Sequence, residues 1–223
     1  MNLLALETAT EACSAALAVD GDIREIFEII PRGHSLRILP MVDELMADAG
    51  LSIAQIDAIA FGRGPGAFTG LRIAVGVTQG IAFGASLPVV PVSTLAAIAQ
   101  GCESDRALAA IDARMDEVYW GAYQRDSAGQ MMLCGEEGVM RPGEVPLPEG
   151  DGWFGVGTGW GSYNTILTTR CGDKLAGWQG DSLPHAADVA RLGIAGYNAG
   201  EATSAEQAIP VYLRDQVAWK KSQ

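Results

Sequence analysis

The chain has 223 residues, of which 48% are hydrophobic and 19% charged, enough apolar material for one or two folded domains. Acidic residues number 27 against 15 basic ones, and the net charge of −12 disfavours direct binding to a nucleic-acid backbone, which binding proteins neutralise with Lys and Arg. No stretch reaches the ~20 apolar residues of a membrane span, and no export signal is visible, so we expect a cytoplasmic protein.

The first part of the chain predicts a complete α/β unit of about 1–103. Alternating or continuous short apolar runs predict strands and longer periodic runs predict helices. In chain order these are strands at 2–6, 12–19 and 23–30, a helix at 34–49, a strand at 57–61, a helix near 70–85, a strand at 87–92 and a helix at 94–100. This order is typical of a ribonuclease-H-like domain.

The pattern then restarts, which predicts a second unit at about 104–223. Strands are expected at 108–112, 118–123, 131–134 and 153–156, and helices near 161–169 and 185–200. Asp112 ends the first of these strands as Glu7 ends the first strand of the chain, so the two halves look like repeats. The closing segment, 210–221, is expected to form a tail helix that packs back on the first unit.

Two such units with acids ending their first strands indicate the actin-like ATPase architecture, in which glycine-rich turns and carboxylates hold nucleotide phosphates. Two loops, 62–70 and 155–161, are candidates for that role, because a glycine-rich turn that opens a helix can offer backbone N–H groups to an anion. Neither matches the P-loop or the dinucleotide fingerprint, and tight strand-to-helix turns explain the glycines equally well. The candidate nucleotide-loop residues are Glu7, Thr8, Gly64, Gly66, Gly157 and Gly159.

Two helices carry more apolar surface than one core requires. On a helical wheel the apolar residues of 34–49 cover an arc of about 160° at 100° per residue, whereas a stripe of a little over ~100° suffices for packing on one core. The helix near 70–85 has Arg72 as its one charged residue, and Gly76, Gly80 and Gly84 lie four apart on one face. We therefore expect a helix-bundle interface formed by Ile38, Met41, Val42, Leu45, Met46, Ile73, Gly76, Val77, Gly80 and Gly84.

Several segments together resemble the TsaB (YeaZ) family. They are residues 7–14, 34–40, 62–73, 91–95, 111–114 and the closing 210–221. The resemblance spans nearly the whole chain, because the motifs occur in order at the right distances. It implies a relative of TsaD, the subunit that transfers threonylcarbamoyl to the tRNA adenosine beside the anticodon, and it implies a homodimer through the two helices that exchanges for a heterodimer with TsaD.

The resemblance to TsaD is informative where it fails. TsaD-like chains carry an H-x-x-x-H metal pair after the strand that corresponds to 87–92, and the two positions fall here at Thr94 and Ile98. Threonine is a poor ligand and isoleucine has no donor atom. The sequence therefore predicts no metal site and no bound cofactor. The resemblance implies a non-catalytic scaffold or activator that works with TsaD and with the ATPase TsaE and meets tRNA only through the complex. The alternative is a self-sufficient enzyme, either a nucleotide hydrolase using the glycine loops or a peptidase.

Overall fold

The computed structural model describes residues 1–214, so most of the predicted tail helix at 210–221 lies outside the described residues. The strands are β1 (Asn2–Glu7), β2 (Ala12–Val19), β3 (Asp22–Ile29), β4 (Ala58–Gly64), β5 (Val89–Ser93), β6 (Arg106–Arg114), β7 (Glu117–Arg125), β8 (Met131–Leu133), β9 (Gly138–Met140), β10 (Trp153–Val156) and β11 (Leu175–Gln179). The α-helices are α1 (His34–Ala49), α2 (Phe68–Ala85), α3 (Thr94–Gln100), α4 (Thr158–Cys171) and α5 (Ala186–Asn198).

The first sheet has the strand order β3-β2-β1-β4-β5. β1 pairs antiparallel with β2 and parallel with β4, and β2 pairs antiparallel with β3. The central strands are buried on both faces, which explains why β1 is a continuous apolar run rather than an alternating one. The predicted β-meander and the strands that follow it are confirmed.

The second sheet repeats this topology. Its order is β11-β10-β6-β7-β8, with β9 also paired to β7. The first strand of each unit is thus central, its antiparallel neighbour follows, and two parallel strands complete the other side. The predicted repeat and the two-sheet α/β architecture are confirmed.

Helices cover both faces of the first sheet. α1 and α2 lie on one face, where their apolar side chains pack with those of β1, β2 and β4. α5 lies on the opposite face, against Leu3 and Ala5 of β1 and Ala60 of β4. In the part of the chain that the structure describes, no helix is long and apolar enough to cross a membrane.

The two units share helices. α5 follows the second sheet in sequence but packs on the first, and α3 precedes the second sheet but packs against β6 and β7 as well as β5. Each helix has an apolar face that must be buried. It therefore packs on a sheet face that no other element covers, whichever sheet is nearer in sequence. The boundary near residue 103 stays a prediction, and the assignment of the helix near 185–200 to the second unit is corrected by its contacts.

The capping residues expected from the sequence begin and end the helices, except that α4 begins earlier than predicted. Gly50 ends α1 in the left-handed conformation, and the Ser93 hydroxyl accepts hydrogen bonds from the N–H groups of Leu95 and Ala96 at the start of α3. α4 begins at Thr158 rather than near 161, because Gly157, at φ 106°, makes the turn that starts it. Part of the predicted second glycine loop is therefore helix.

Candidate functional site

A cleft of about 640 Å³ separates the two sheets. Its walls come from the segment after β1, the start of α2, the end of β6, the start of α4 and residues 211–214. Carboxyl ends of parallel strands and the starts of following helices meet here, which is the general position of ligand clefts in α/β proteins. Of the six predicted nucleotide-loop residues, only Gly66 lines this cleft.

Glu7 is fully buried. One of its carboxylate oxygens accepts a hydrogen bond of 2.6 Å from the Ala9 N–H, and the other accepts one of 3.2 Å from the Thr94 hydroxyl. Burial raises the pKa of this carboxyl from 4.5 to about 7, because removal from water disfavours the charged form, and the hydrogen bonds offset only part of that effect. A Cβ added to Gly62 would overlap the carboxylate, so Glu7 is enclosed by protein.

The glycines of the first loop pack against the chain itself. A Cβ on Gly66 would overlap the Ala9 carbonyl oxygen, and one on Gly70 would overlap the Thr8 carbonyl oxygen. The Thr8 hydroxyl also donates to the Gly70 carbonyl at 2.8 Å, and Gly64 holds φ at 105°. These glycines permit close approach of two backbone segments, which accounts for them without a bound phosphate.

The second loop has the same character. A Cβ on Gly157 would overlap the Ala110 carbonyl oxygen, and one on Gly159 would lie 2.8 Å from the Ala110 Cβ. Between them, the Thr158 hydroxyl accepts the Asp112 N–H at 3.2 Å. The loop thus joins α4 to β6 by close backbone packing.

Asp112 is the polar centre of the cleft wall. Its carboxylate accepts hydrogen bonds from the Arg114 N–H at 2.8 Å and the Ser162 hydroxyl at 3.3 Å, and the Tyr163 hydroxyl lies at 3.4 Å. The Arg114 guanidinium adds an ion pair at 3.0 Å. Sequence reasoning found the acid by its place at a strand end but missed the two α4 hydroxyls, because the α4 residues contact Asp112 only after the helix has packed on the sheet.

The two positions that correspond to the histidine pair of TsaD-like chains hold no metal ligands. The Thr94 hydroxyl is committed to Glu7, and Ile98 is buried in the apolar core beside Leu95. Among residues 1–214, no group of three or more His, Cys, Asp or Glu side chains could hold a metal ion.

The expected interface residues fall into two groups. Ile38, Met41, Val42, Leu45 and Met46 are at most 8% exposed and lie in the chain's own core between α1 and the first sheet. Their assignment to a contact surface is therefore corrected, because the chain's own core already covers these side chains. The wide apolar arc of α1 covers the sheet and α2 together.

The α2 residues lie differently. Gly76, Gly80 and Gly84 are exposed, and a Cβ added to any of them would meet nothing within 4 Å. Ile73 and Val77 are half-buried on the same helix. The three glycines form an open stripe on which a second helix could approach closely, as small residues permit in packed helix pairs.

A large apolar side chain borders this stripe, since Phe83 on α2 is 54% exposed. Leu36 and Leu39 on α1 are also exposed, at 82% and 46%. Phe83 follows Gly80 by three positions, so its place beside the stripe could have been found from helical spacing. We call the exposed residues Gly76, Gly80, Phe83 and Gly84 the α2 glycine face.

Comparison with known proteins places the chain among relatives of known name. Residues 27–222 match the family model described as TsaD, tRNA N6-adenosine threonylcarbamoyltransferase. The chain is 45% identical to the tRNA threonylcarbamoyladenosine biosynthesis protein TsaB of Escherichia coli K12, over 99% of this chain and 98% of that one. It is 42% identical to the TsaB protein of Haemophilus influenzae Rd, over 99% and 97%.

Solved structures agree in fold. The structure of YeaZ from Pseudomonas aeruginosa superposes with a TM-score of 0.88 at 50% identity, covering 95% of this chain and 99% of that one. A second Pseudomonas aeruginosa structure, described as a protein with similarity to peptidase YeaZ, gives a TM-score of 0.89 at 49% identity, covering 96% and 99%. Full-length identity at this level, together with the matched topology, shows that the chain belongs to the TsaB (YeaZ) family.

Proposed function

We propose that this chain is a non-catalytic partner subunit in the threonylcarbamoylation of the tRNA adenosine next to the anticodon, acting in the cytoplasm through a TsaD-family subunit. Relatives of full length and 42–45% identity are named for biosynthesis of threonylcarbamoyladenosine. That likeness supports a role in the biosynthesis of threonylcarbamoyladenosine. The structure of this chain supports the proposal that this role is non-catalytic.

The absence of a catalytic role is inferred from chemistry at two places. Thr94 and Ile98 replace the histidines that would hold a metal, so the Lewis acid and phosphate clamp that the transfer would need is missing from these positions. The glycines of both candidate nucleotide loops are occupied by close contacts with the chain's own backbone. We therefore expect no cofactor on the isolated chain, and ATP is used by the wider complex.

The α2 glycine face is the observation that carries the scaffold role. A surface helix normally carries polar or charged side chains on its solvent-facing side, whereas one face of α2 exposes three glycines and Phe83. We infer that this face pairs with the matching face of a second copy when the chain is alone, and with TsaD in the complex, where TsaE also binds. Since the chain carries a net charge of −12, tRNA is expected to be held by basic surface on a partner.

The test is a pair of substitutions at the centre of the face. Gly80→Ala adds a methyl group where the monomer has open space, so the isolated helix should gain about 1 kcal/mol from propensity while close approach of a partner helix is blocked. Gly80→Glu adds a charge at the same place. Both variants should give folded monomers by circular dichroism, fail to dimerise in size-exclusion chromatography with light scattering, and lower threonylcarbamoylation in a reconstituted reaction.

Thr168→Glu is the matched control. Thr168 is exposed on α4, so the substitution adds the same charge to a helix that packs on the second sheet, whereas α2 packs on the first. It should leave dimerisation and the reconstituted reaction unchanged. If Gly80→Glu still dimerises and still supports modification, the proposed interface is wrong.

The enzymatic alternative is tested separately. Isothermal titration of the isolated chain with ATP and Mg²⁺ should give no heat of binding, and omission of the TsaD subunit should abolish modification. Turnover by the isolated chain would overturn the scaffold role while leaving the interface test intact.

A further inference from the structure

Residues 208–214, here called the C-terminal strap, cross the open side of the cleft between the two sheets. Val211, Tyr212 and Arg214 all line the cleft, although the segment has no regular secondary structure. An irregular segment that follows one course must be held by specific contacts, because fixing each backbone residue costs about 1–2 kcal/mol of conformational entropy.

The first end of the strap is anchored on the first sheet and its helix α2. Ala208 is fully buried, and its carbonyl accepts a hydrogen bond of 2.9 Å from the Gln79 side chain. The Val211 N–H donates to the carbonyl of Arg63, the second-last residue of β4, at 2.8 Å. The Tyr212 ring lies 5.5 Å from that of Phe68.

The far end is anchored on the second sheet. The Arg214 guanidinium forms an ion pair of 2.5 Å with Glu117, at the start of β7, and approaches the Arg114 carbonyl at 3.4 Å. The Arg214 and Glu117 side chains are 20% and 33% exposed, so water screens this pair less than a fully exposed one.

The turn that receives Arg214 is unusual. Arg114, Met115 and Asp116 are three consecutive non-glycine residues with φ between 57° and 62°. Such a conformation is disfavoured for residues with a Cβ and persists only where the surroundings hold it. Arg214 contacts the carbonyl of the first of these residues and the sulfur of the second.

We propose that the C-terminal strap is a clasp that fixes the angle between the two sheets, and that the Arg214–Glu117 pair is its latch. The strap is joined to the first sheet by buried and backbone contacts but to the second sheet through one side chain. α3 packs on both sheets, so release of the latch would let the second sheet turn about α3 and widen the cleft on the side that the strap crosses. This inference depends on the fold alone and not on the proposed function.

The experiment measures the distance between the two units in the full chain. Spin labels are placed at Asn198→Cys on α5 and Thr168→Cys on α4, both exposed, in a Cys134→Ser background, and the sample is diluted with unlabelled protein so that only distances within one chain are read. With Arg214 and Glu117 unchanged, the distance between the two spin labels should have one narrow distribution. Arg214→Gln and Glu117→Gln should each add a population at longer distance.

The charge exchange Arg214→Glu with Glu117→Arg should restore the narrow distribution. Amide exchange at Val211 should become about fivefold faster in Arg214→Gln, which corresponds to the loss of about 1 kcal/mol, the upper end for a partly exposed ion pair. Arg214→Gln and Glu117→Gln each remove one partner of the ion pair. If one variant fails to fold, the other still tests the proposal.

Arg37→Gln is the matched control, because it breaks an ion pair of 2.7 Å with Glu28 that lies wholly within the first unit. It should leave the distance distribution unchanged. The clasp is refuted if both latch variants keep the narrow distribution, or if the control broadens it to the same extent.

Discussion

Glu7→Gln tests how the fold tolerates a carboxyl that is sealed from water. Burial raises the pKa of Glu7 from 4.5 to about 7, so the native state binds this proton more tightly than the unfolded chain does. The stability that the protonated form supports is therefore fully present below pH 4.5 and is lost as the pH rises toward about 7. One pH unit corresponds to about 1.4 kcal/mol, so the full effect is about 3 kcal/mol.

Glutamine keeps the shape of the side chain but cannot ionise. Its carbonyl can still accept the Ala9 N–H, and its amide can donate to the Thr94 hydroxyl. At pH 4 the variant should be close to the parent in stability, whereas at pH 8 it should be more stable. The free energy of unfolding of the variant minus that of the parent should therefore rise by about 3 kcal/mol between pH 4 and pH 8.

Urea denaturation at half-unit steps from pH 4 to pH 9 measures this difference, and subtraction of the two curves cancels every other titrating group. Thr94→Val is a second arm, since it removes a hydrogen bond that lowers the pKa of Glu7 and should shift the midpoint of the parent's transition upward. A difference curve that stays flat across the range would refute the reasoning, because the carboxyl would then be solvated in the native state.

Three further outcomes follow from packing and charge. Gly66→Ala should destabilise the chain by about 3 kcal/mol in urea denaturation, because the added methyl group overlaps the Ala9 carbonyl, whereas Gly143→Ala, with its nearest neighbour at 3.6 Å, should change stability by no more than about 0.5 kcal/mol. Trp160→Phe removes the indole N–H that donates to the buried Leu108 carbonyl at 2.8 Å and should cost about 2–4 kcal/mol in thermal denaturation. In a gel shift at physiological salt, the isolated chain should not retain tRNA at micromolar concentration, and a stable complex would contradict the argument from its net charge of −12.

Sequence periodicity alone determined most of the elements and their repeat, but it missed the short strands β9 and β11. Alternating apolar runs identify strands with one buried face, and short continuous apolar runs identify strands buried on both faces. The return of the same pattern after residue 105 predicted the second sheet. The capping of α3 by Ser93 and the end of α1 at Gly50 were also accessible, since both depend on local backbone geometry.

Only the tertiary structure decided which apolar faces stay open. A helical wheel reports the width of an apolar arc but not how many neighbours cover it, so α1 and α2 looked alike, although the α1 residues such as Leu45 are buried in the core and Gly80 on α2 is exposed. The place of α5 on the first sheet and the course of residues 208–214 across the cleft likewise depend on contacts between segments that are distant in sequence. Such contacts leave no periodic signal, because they are set by which surfaces remain uncovered once the two sheets have formed.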